Sequence, residues 1–328
     1  MTETTLNFIH QSYQEALKRS ENIIQILENL YDILADAEVS DEDSKTYDVF
    51  IDGLRNCLRI RKMTAEITDT LSLIVITILY IVRWLNDTKQ IAIDIDWNGR
   101  RKSLESDLTK LLRKSNQTPS AKIKDRFGLK GEVNTNKTVS EEQAISYIYV
   151  IADSIIGILA AKDRKQRKEF LEWIESSGHV NRAVKATLLE VLNIPFDVDD
   201  HSIKDYIKKP KENGYQSYHF TLTIQPYSDV LPGIHLEIQL RTTEMEKNAN
   251  SGNASHQKYK EYHGDNPVST DVNPLTNVFV VDDFSQISIP GFTSYKSEED
   301  DKDGIHFPKK FGGNRRISNT LAPSNTQR

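Results

Sequence analysis

The sequence predicts an α+β protein in which a β-sheet is flanked by helices and accompanied by an N-terminal helical layer. Two observations support this fold class. Apolar residues recur at steps of three and four through much of the first 90 residues, as in amphipathic helices. Apolar and polar residues alternate over residues 91–97, 218–225 and 234–241, as in half-buried strands. Helical patterns lie between the first of these segments and the other two.

Composition excludes several classes of protein. The 328 residues hold 42 Lys and Arg against 48 Asp and Glu, a formal charge of −6, which argues against general coating of nucleic acid. A single cysteine, Cys57, cannot form an internal disulfide, so we predict a cytoplasmic location. Residues 1–6 lack the basic and then apolar pattern of a secretory signal. The most apolar run, Leu71–Leu85, contains Arg83 and is shorter than the ~20 residues of a membrane span, so a buried helix or strand is predicted there.

Local signals predict the order of the elements. A first helix covers residues 8–37, a polar break spans Ser40–Ser44, and a second helix runs from about residue 47 to about residue 70 into the apolar run. Ile91, Ile93 and Ile95 share one face of a strand, which the turn signal Asn98-Gly99 ends. The later predicted elements are a helix over 101–114, a short strand over 122–125, a helix from Ser140 to Ala161, a helix pair over 162–192, strands over 218–225 and 234–241, and a helix over 243–262.

Three regions follow from this pattern. Residues 1–90 are a helical region, and residues 91–262 are a domain of strands and helices with a helical insertion at about 162–192. Residues 263–328 are a C-terminal extension, rich in Gly, Pro, Asn, Ser and Asp and partly disordered beyond residue 312. Within it, residues 278–281 and 287–289 are candidates for one more strand pair.

The first of three segments that suit a nucleotide polyphosphate is Gly99–Lys110. On a helix, Lys102, Ser106 and Lys110 lie four residues apart and share one face. Two ammonium groups beside a hydroxyl, near a helix N-terminus, suit the phosphates of a triphosphate. Arg100, just before the helix, can lay its guanidinium on a base. The alternative for this segment alone is an ordinary solvated basic face.

The second segment, Asp205–His219, combines a turn with aromatic and basic residues. Asn213-Gly214 is a turn signal, which would present Tyr215 outward rather than into a core. Three lysines are near it in the sequence: Lys208, Lys209 and Lys211. An exposed aromatic ring beside lysines suits stacking on a purine with contacts to phosphate. The alternative is a basic loop with a packed tyrosine.

The third segment displays three polar side chains from one face of a strand. Glu237, Gln239 and Arg241 alternate with apolar residues, and such a row is costly to bury without ligands. Asp125, at the end of the predicted strand 122–125, is the candidate second carboxylate. Two carboxylates from adjacent strands suit Mg²⁺, which takes one or two protein carboxylates plus phosphate oxygens.

Two other sequence features offer weaker sites. Asp94 and Asp96 share a strand face and resemble a metal pair, although the face opposite the isoleucines must be polar in any case. His256 lacks the neighbouring cysteines and histidines of a zinc site, so a hydrogen bond that holds the last predicted helix is the favoured role.

In their order, the three segments resemble the synthetase domain of the RelA/SpoT family of alarmone synthetases, the ATP:GTP/GDP pyrophosphokinases. The stretch Lys204–His219 (KDYIKKPKENGYQSYH) is nearly word for word the acceptor loop of that family. The stretch from Glu237 through Met245 to Ala254-Ser-His256 and Tyr259-Lys260 is similar to the longer, ribosome-associated members. The resemblance covers residues 91 to 262 approximately and implies a mixed β-sheet of nucleotidyltransferase-like topology.

The resemblance also implies roles for individual residues. Arg100 would stack on the adenine of ATP, and Lys102, Ser106 and Lys110 would hold its phosphates. Asp125 and Glu237 would bind Mg²⁺, and Glu237 would also act as the base for the acceptor hydroxyl. Tyr215 would stack on the guanine of GDP or GTP. The other residues implied on the acceptor and pyrophosphate side are Lys211, Asn213, His219, Gln239 and Arg241.

The chain departs from the family pattern at identifiable positions. Lys130 stands where the family has a second adenine-stacking arginine, so the charge is kept and the planar stack is lost. Arg126 is a candidate substitute for that arginine. Ser202 stands where long members often have an arginine, and the span from Asp125 to Asp205 is longer than usual. The chain contains no His-Asp dipeptide, so we expect no metal-dependent hydrolase domain of the family type.

Three functions remain as alternatives at this point. The favoured one is a synthetase without hydrolase activity, which makes (p)ppGpp from ATP and GDP or GTP. A toxin-type member would instead modify tRNA 3′ ends or adenine nucleotides and would have an antitoxin as partner. A catalytically silent regulator would bind guanine nucleotide only. Small members of the family often self-associate, which makes a homo-oligomer an open expectation.

Overall fold

Helices and strands form along the chain much as the two periodicities indicate. The computed structural model of the protein describes residues 1–89, 91–118, 123, 125–136, 138–225 and 233–251. Within these ranges the helices are α1 (Glu3–Lys18), α2 (Ile23–Ala35), α3 (Asp41–Lys62), α4 (Thr64–Lys89), α5 (Leu104–Ser115), α6 (Glu141–Leu159), α7 (Arg164–Ser176), α8 (Arg182–Leu192) and α9 (Thr243–Ser251). The strands are β1 (Ile95–Arg101), β2 (Phe127–Val133), β3 (Phe196–Val198), β4 (Lys204–Asp205), β5 (Tyr218–Ile224) and β6 (Ile234–Thr242).

The strands form one mixed sheet in the order β1-β2-β6-β5-β3, with β4 paired to β5. Strands β2 and β6 are parallel, and the other neighbouring pairs are antiparallel. A parallel pair needs a long crossover connection, and helices α6 to α8 lie in the chain between these two strands. The predicted α+β class with a mixed sheet and flanking helices is therefore confirmed.

The N-terminal helices share a hydrophobic core with α5. Helices α1, α2 and α3 pack in succession, and α3 also packs against α5. The apolar residues of these helices are buried in one cluster with four leucines of α5: Leu104, Leu108, Leu111 and Leu112. Gly53 permits the close approach of α3, because a Cβ at this position would lie 2.1 Å from Cδ1 of Leu111. The helical layer thus supports the segment that carries the predicted donor residues.

The predicted boundaries of the N-terminal helices need three corrections. The helix expected from about residue 47 to about residue 70 ends at Lys62, and α4 begins at Thr64. The helix expected over residues 8–37 is two helices, because Asn22 caps α2 by accepting a hydrogen bond from the backbone N–H of Gln25 at 3.1 Å. The polar stretch Ser40–Ser44, expected as a break, begins α3. Ser40 is its N-cap position and acidic residues fill its first turn, where the helix dipole favours negative charge.

Helices α4 and α6 are long and apolar enough, by length and composition, to cross a membrane. In the folded protein, 61% and 50% of their most apolar windows are buried. Helix α4 packs against α6, α7 and α8, and α6 lies against three strands of the sheet. Burial of this kind is typical of core helices, as predicted for Leu71–Leu85, which lies within α4.

The first strand is shifted toward the C-terminus of its predicted range. It begins at Ile95 rather than residue 91, and it includes Asn98 and Gly99, which were expected to form a turn. These two residues pair with Lys130 and Leu129 of β2, so pairing in the sheet outweighs the local turn preference.

The second strand begins later than predicted. Ile123 and Asp125 are described outside any strand, so the short strand expected over 122–125 is wrong there, and β2 begins at Phe127. The predictions for residues 252–328, including His256 and the strand pair of the C-terminal extension, lie outside the described residues. The proposed domain boundaries stay predictions.

Candidate functional site

One face of the sheet is polar because of the alternation in β6. Strand register places Gln239 beside Lys130 of β2 and beside His219 of β5, so these side chains share a face. The opposite face carries apolar residues such as Ile238 and Leu240 and is covered by α6, whose Tyr149 ring contacts Tyr218 at 5.4 Å between centroids. The predicted row of polar side chains on β6 is therefore present.

The three polar residues of β6 form a hydrogen-bonded row. Nε2 of Gln239 donates to Oε2 of Glu237 at 2.7 Å, and Nη2 of Arg241 donates to Oε1 of Gln239 at 2.9 Å. Gln239 and Arg241 are buried, and Glu237 is partly exposed. A carboxylate, an amide and a guanidinium thus satisfy one another while the carboxylate remains accessible.

The turn at Asn213-Gly214 forms as predicted, but Tyr215 does not point outward. Gly214 has φ +80, a value that favours glycine, and Oδ1 of Asn213 accepts a hydrogen bond from the N–H of Tyr215 at 3.2 Å. The Tyr215 hydroxyl accepts from Nη2 of Arg241 at 2.9 Å and lies 3.0 Å from Nε2 of His219. The ring is half-buried over the polar face, so the outward position expected for it is wrong.

Lys211 alone of the three nearby lysines contacts the Tyr215 ring, with its Nζ 4.9 Å from the centroid. It also lies 4.7 Å from the ring of Tyr206. Lys208 turns away to Asp205 and to the Tyr149 ring of α6. The loop is held in turn by Asp205, whose Oδ1 accepts from the N–H groups of Ile207 and Lys208.

Two predicted donor residues meet the predicted second carboxylate. Lys102 and Lys110 both form ion pairs with Asp125. Lys102 reaches it from outside the helix, because α5 begins at Leu104 with Ser103 as its N-cap. The expectation that Lys102 shares a helical face with Lys110 is therefore wrong, although both ammonium groups arrive at one point.

The other two donor residues are placed less directly. Ser106 is exposed in the first turn of α5, and its backbone N–H donates to Oγ of Ser103 at 3.3 Å. Arg100 lies in β1, where its backbone pairs with Gly128, which in turn pairs with Glu237. Their contacts with a nucleotide stay predictions.

Asp125 and Glu237 are both ionised at neutral pH. Burial raises the pKa of Asp125, but hydrogen bonds from Lys102 and Lys110 outweigh it and lower that pKa to about 2. Burial likewise raises the pKa of Glu237, and hydrogen bonding from His219 and Gln239 lowers it to about 2, against a smaller opposing effect of the Asp125 charge. The two carboxylates, 112 positions apart in the chain, are therefore within electrostatic reach of one another.

His219 is neutral in this arrangement. Burial lowers its pKa, and the nearby Glu237 carboxylate does not compensate. Its Nδ1 lies 3.8 Å from Oε1 of Glu237, while its Nε2 faces the Tyr215 hydroxyl. The Tyr215 hydroxyl accepts from Arg241 and can donate its own proton to Nε2, an arrangement that places the imidazole proton on Nδ1, on the side of Glu237.

The two candidates for the missing arginine are both engaged elsewhere. Lys130 forms an ion pair with Glu246 of α9. Arg126 is buried, with its Nε 2.9 Å from Oδ2 of Asp107 and its Nη2 2.8 Å from Sγ of Cys57. The hypothesis that Arg126 replaces the adenine-stacking arginine does not fit this position.

Asp94 and Asp96, the weaker candidate for a metal site, both accept hydrogen bonds from the amide of Asn134. Nδ2 of Asn134 donates to Asp94 at 3.3 Å and to Asp96 at 3.2 Å. Among the residues that the structure describes, no group of three or more His, Cys, Asp or Glu is arranged to hold a metal ion. Asp125 and Glu237 fit a hard cation as a pair of ionised carboxylates, which is the set that Mg²⁺ uses when phosphates complete its coordination.

Glu246 and Tyr149 are the site residues that sequence reasoning missed. The hydroxyl of Tyr149 donates to both oxygens of Asp205 at 3.1 and 3.2 Å, which fixes the Asp205–His219 segment to α6. Glu246 pairs with two cations of the sheet, as described below. The signal available in the sequence for Glu246 was its position: it is a carboxylate four residues after the end of β6, the strand that carries Glu237, Gln239 and Arg241.

Acid should destabilise the wild type more than an Asp125→Asn variant. A carboxyl whose folded pKa is about 2 stabilises the fold above its unfolded pKa of about 4, and this contribution is lost as the pH falls between these values. We therefore expect the difference in unfolding free energy between wild type and variant to become smaller as the pH falls from about 4 to about 2. Urea unfolding at several pH values measures it, with Asp52→Asn at an exposed site of α3 as control. A difference independent of pH would contradict the ion pairs of Asp125.

Comparison with known proteins relates the chain to one family. Residues 179–264 match the family described as "Region found in RelA / SpoT proteins". A probable GTP diphosphokinase, CRSH, of Arabidopsis thaliana is 47% identical over 60 residues, which are 18% of this chain and 10% of that protein. The bifunctional (p)ppGpp synthase/hydrolase SpoT of Escherichia coli is 43% identical over 70 residues, 21% of this chain and 9% of that protein.

Solved structures of small alarmone synthetases are also similar, at lower identity. Small alarmone synthetase 1 of Bacillus subtilis, solved with its product pppGpp, is 21% identical with a TM-score of 0.36, and the match covers 63% of this chain and 81% of that one. The chain spans only about a tenth of the length of the curated relatives it matches. Residues 179–264 are thus similar to the region found in RelA/SpoT proteins, as the second and third predicted segments within them indicate.

Proposed function

We propose that this protein transfers the β,γ-pyrophosphate of ATP to the ribose 3′-hydroxyl of GDP or GTP. One observation carries the proposal. Two lysines, Lys102 and Lys110, pair with Asp125, and a second carboxylate, Glu237, begins a hydrogen-bonded row that leads through Gln239 and Arg241 to the Tyr215 hydroxyl. The match to the RelA/SpoT region and the similarity to a probable GTP diphosphokinase and a bifunctional (p)ppGpp synthase/hydrolase support the same activity.

The donor is proposed to bind beside Lys102 and Lys110. Both ammonium groups face the Asp125 carboxylate. When ATP binds, phosphate oxygens can replace that carboxylate as their partner, which leaves Asp125 available with Glu237 to hold Mg²⁺. When bound, this ion supplies neutralisation of phosphate charge. Ser106 and Arg100 are proposed to complete the contacts with the phosphates and adenine.

The acceptor is proposed to bind over Tyr215. Its guanine stacks on the ring, and Lys211, Asn213, His219, Gln239 and Arg241 line the acceptor side. Glu237 accepts the hydrogen bond of the 3′-hydroxyl and orients its oxygen toward the β-phosphorus. In the transfer, O3′ forms a bond to the β-phosphorus, the bond from this phosphorus to the α,β-bridging oxygen breaks, and AMP leaves with that oxygen. The proton of the 3′-hydroxyl passes to solvent, with Glu237 as its hydrogen-bond acceptor on the way. With a pKa of about 2 Glu237 is a weak base, so orientation is its larger contribution in a reaction that depends mainly on positioning.

Purified full-length protein incubated with ATP labelled in its γ-phosphate, Mg²⁺ and one acceptor at a time tests the proposal. We expect label in a product of GDP or GTP, with AMP formed in equal amount. Bulk tRNA and adenine nucleotides are the competing acceptors. Label that appears only in these would favour the toxin-type alternative, in which an antitoxin is the expected partner. A cytoplasmic location and a homo-oligomeric state stay predictions.

A further inference from the structure

Glu246 folds back from α9 onto the polar face of the sheet. It lies in the helix that directly follows β6, and it is 8% exposed. Its Oε1 accepts from Nζ of Lys130 and from Nδ2 of Asn250, and its Oε2 accepts from Nη1 of Arg241 at 2.9 Å. One buried carboxylate therefore joins two cations from neighbouring strands.

The contacts beyond Arg241 lead into the proposed acceptor site. While Nη1 is held by Glu246, Nη2 donates to the Tyr215 hydroxyl and to Oε1 of Gln239, each at 2.9 Å. Because Oε1 of Gln239 faces Arg241, its amide NH₂ must face Glu237, to which it donates at 2.7 Å. The orientation of one guanidinium thus sets both the Tyr215 hydroxyl and the amide of Gln239.

The charges on this face also require Glu246. Lys130 and Arg241 are cations on adjacent strands: Lys130 pairs with Gln239, and Arg241 lies two residues further along β6 on the same face. Burial raises the pKa of Glu246, but Lys130 and Arg241 outweigh it and keep the carboxyl ionised. Without this carboxylate, Lys130 and Arg241 would lose the partner that they share, and Glu132, which lies opposite Arg241 in the strand register, would be the other carboxylate close to Lys130.

We propose that Glu246 is a positioning residue for the acceptor nucleotide. It holds Arg241 in the orientation that contacts the Tyr215 hydroxyl, and it binds Lys130, which then does not contact the ATP donor. This inference rests on the proposed function. Glu246 touches no reacting atom in this role and acts through Arg241. It also accounts for the lysine at position 130, because a carboxylate from α9 binds it as an ion-pair partner.

A Glu246→Gln variant tests the proposal, with Glu244→Gln as the matched control. Glutamine keeps the shape but can accept from one cation only, and its NH₂ then faces the other. Glu244 is an exposed glutamate of the same helix. We expect Glu246→Gln to raise the KM for GDP about tenfold with a smaller change in kcat, as loss of a charge-assisted hydrogen bond implies. Glu244→Gln should match the wild type.

A second substitution separates positioning from folding. If the KM for GDP rises in Glu246→Gln because Lys130 then repels Arg241, adding Lys130→Met should lower this KM part of the way to the wild-type value. A thermal unfolding scan verifies that each variant is folded. Equal KM values for GDP in Glu246→Gln and Glu244→Gln would overturn the proposal, as would a fall in kcat alone.

An absence of the proposed pyrophosphokinase activity can be distinguished from an absence of the positioning role of Glu246. If the wild type forms no product with GDP or GTP, the pyrophosphokinase activity fails, and GDP binding by calorimetry then decides the role of Glu246. Weaker binding by Glu246→Gln than by Glu244→Gln would support the positioning role. Equal binding, or no GDP binding by the wild type, would overturn it.

Discussion

Replacing Glu237 with glutamine is expected to reduce pyrophosphate transfer by about 10²–10⁴-fold while guanine nucleotide binding is retained. The substitution keeps the side-chain shape and the contact with Gln239, and it removes the charge that is proposed to face the acceptor hydroxyl. Steady-state assay of AMP formation, together with calorimetry for GDP binding, measures both quantities.

Asp96→Asn is the matched control for this experiment. Asp96 is a carboxylate of β1 held by Asn134, and with Asp94 it forms the weaker candidate for a metal site. It is expected to keep wild-type turnover. A fall in turnover of Asp96→Asn as large as that of Glu237→Gln would favour Asp94 and Asp96 as the metal ligands instead of Asp125 and Glu237. Equal inactivity of wild type and Glu237→Gln, with GDP bound by both, would establish the silent regulator.

Replacing Asp107 with alanine should destabilise the protein by about 3–5 kcal/mol, the usual cost of breaking a buried ion pair from one side. Oδ2 of Asp107 accepts from Nη2 of Arg61 at 3.1 Å and from Nε of Arg126 at 2.9 Å. The carboxylate is 1% exposed, so its removal leaves two buried guanidinium groups without this counter-charge. Urea unfolding with a stable m-value measures the loss.

Asp52→Ala provides the comparison for Asp107. Asp52 pairs with Arg55 at 3.0 Å on the exposed surface of α3, where such a pair contributes about 0–1 kcal/mol. The two variants remove the same chemical group from an ion pair with arginine, and they differ in burial. Similar unfolding free energies for the two would show that the Asp107 cluster does not stabilise the fold.

The parts of the site that follow local rules could be predicted from the sequence. Strict alternation in β6 sets Glu237, Gln239 and Arg241 on one face, because strand geometry alone requires it. The turn at Asn213-Gly214 and the capping of α6 by Ser140 likewise depend on neighbouring residues only. The ion pairs of Lys102 and Lys110 with Asp125 were not predicted, because the sequence indicated these lysines only as phosphate ligands on one face of a helix.

The parts that depend on distant residues could not be predicted. Asn98 and Gly99 read locally as a turn, and only pairing with β2 makes them extended. In β2, Gly128 and Gly131 interrupt the side-chain pattern, so the strand gives a weak signal. The contact between Lys130 and Glu246 joins residues 116 positions apart, and no local rule selects it. The packed position of Tyr215 depends on Arg241 in the same way.

Helix α5 has two sides with different tasks, and this has a consequence for fragments of the chain. Its four leucines are embedded among α1 to α3, and its Lys110 reaches the Asp125 carboxylate. A fragment shortened to the matched stretch 179–264 would lack both acid-paired lysines and the strand edge beside them. If the proposed transfer takes place, the smallest active fragment is expected to extend upstream of the matched stretch, through α5 and into the helices α1 to α3 that pack against it.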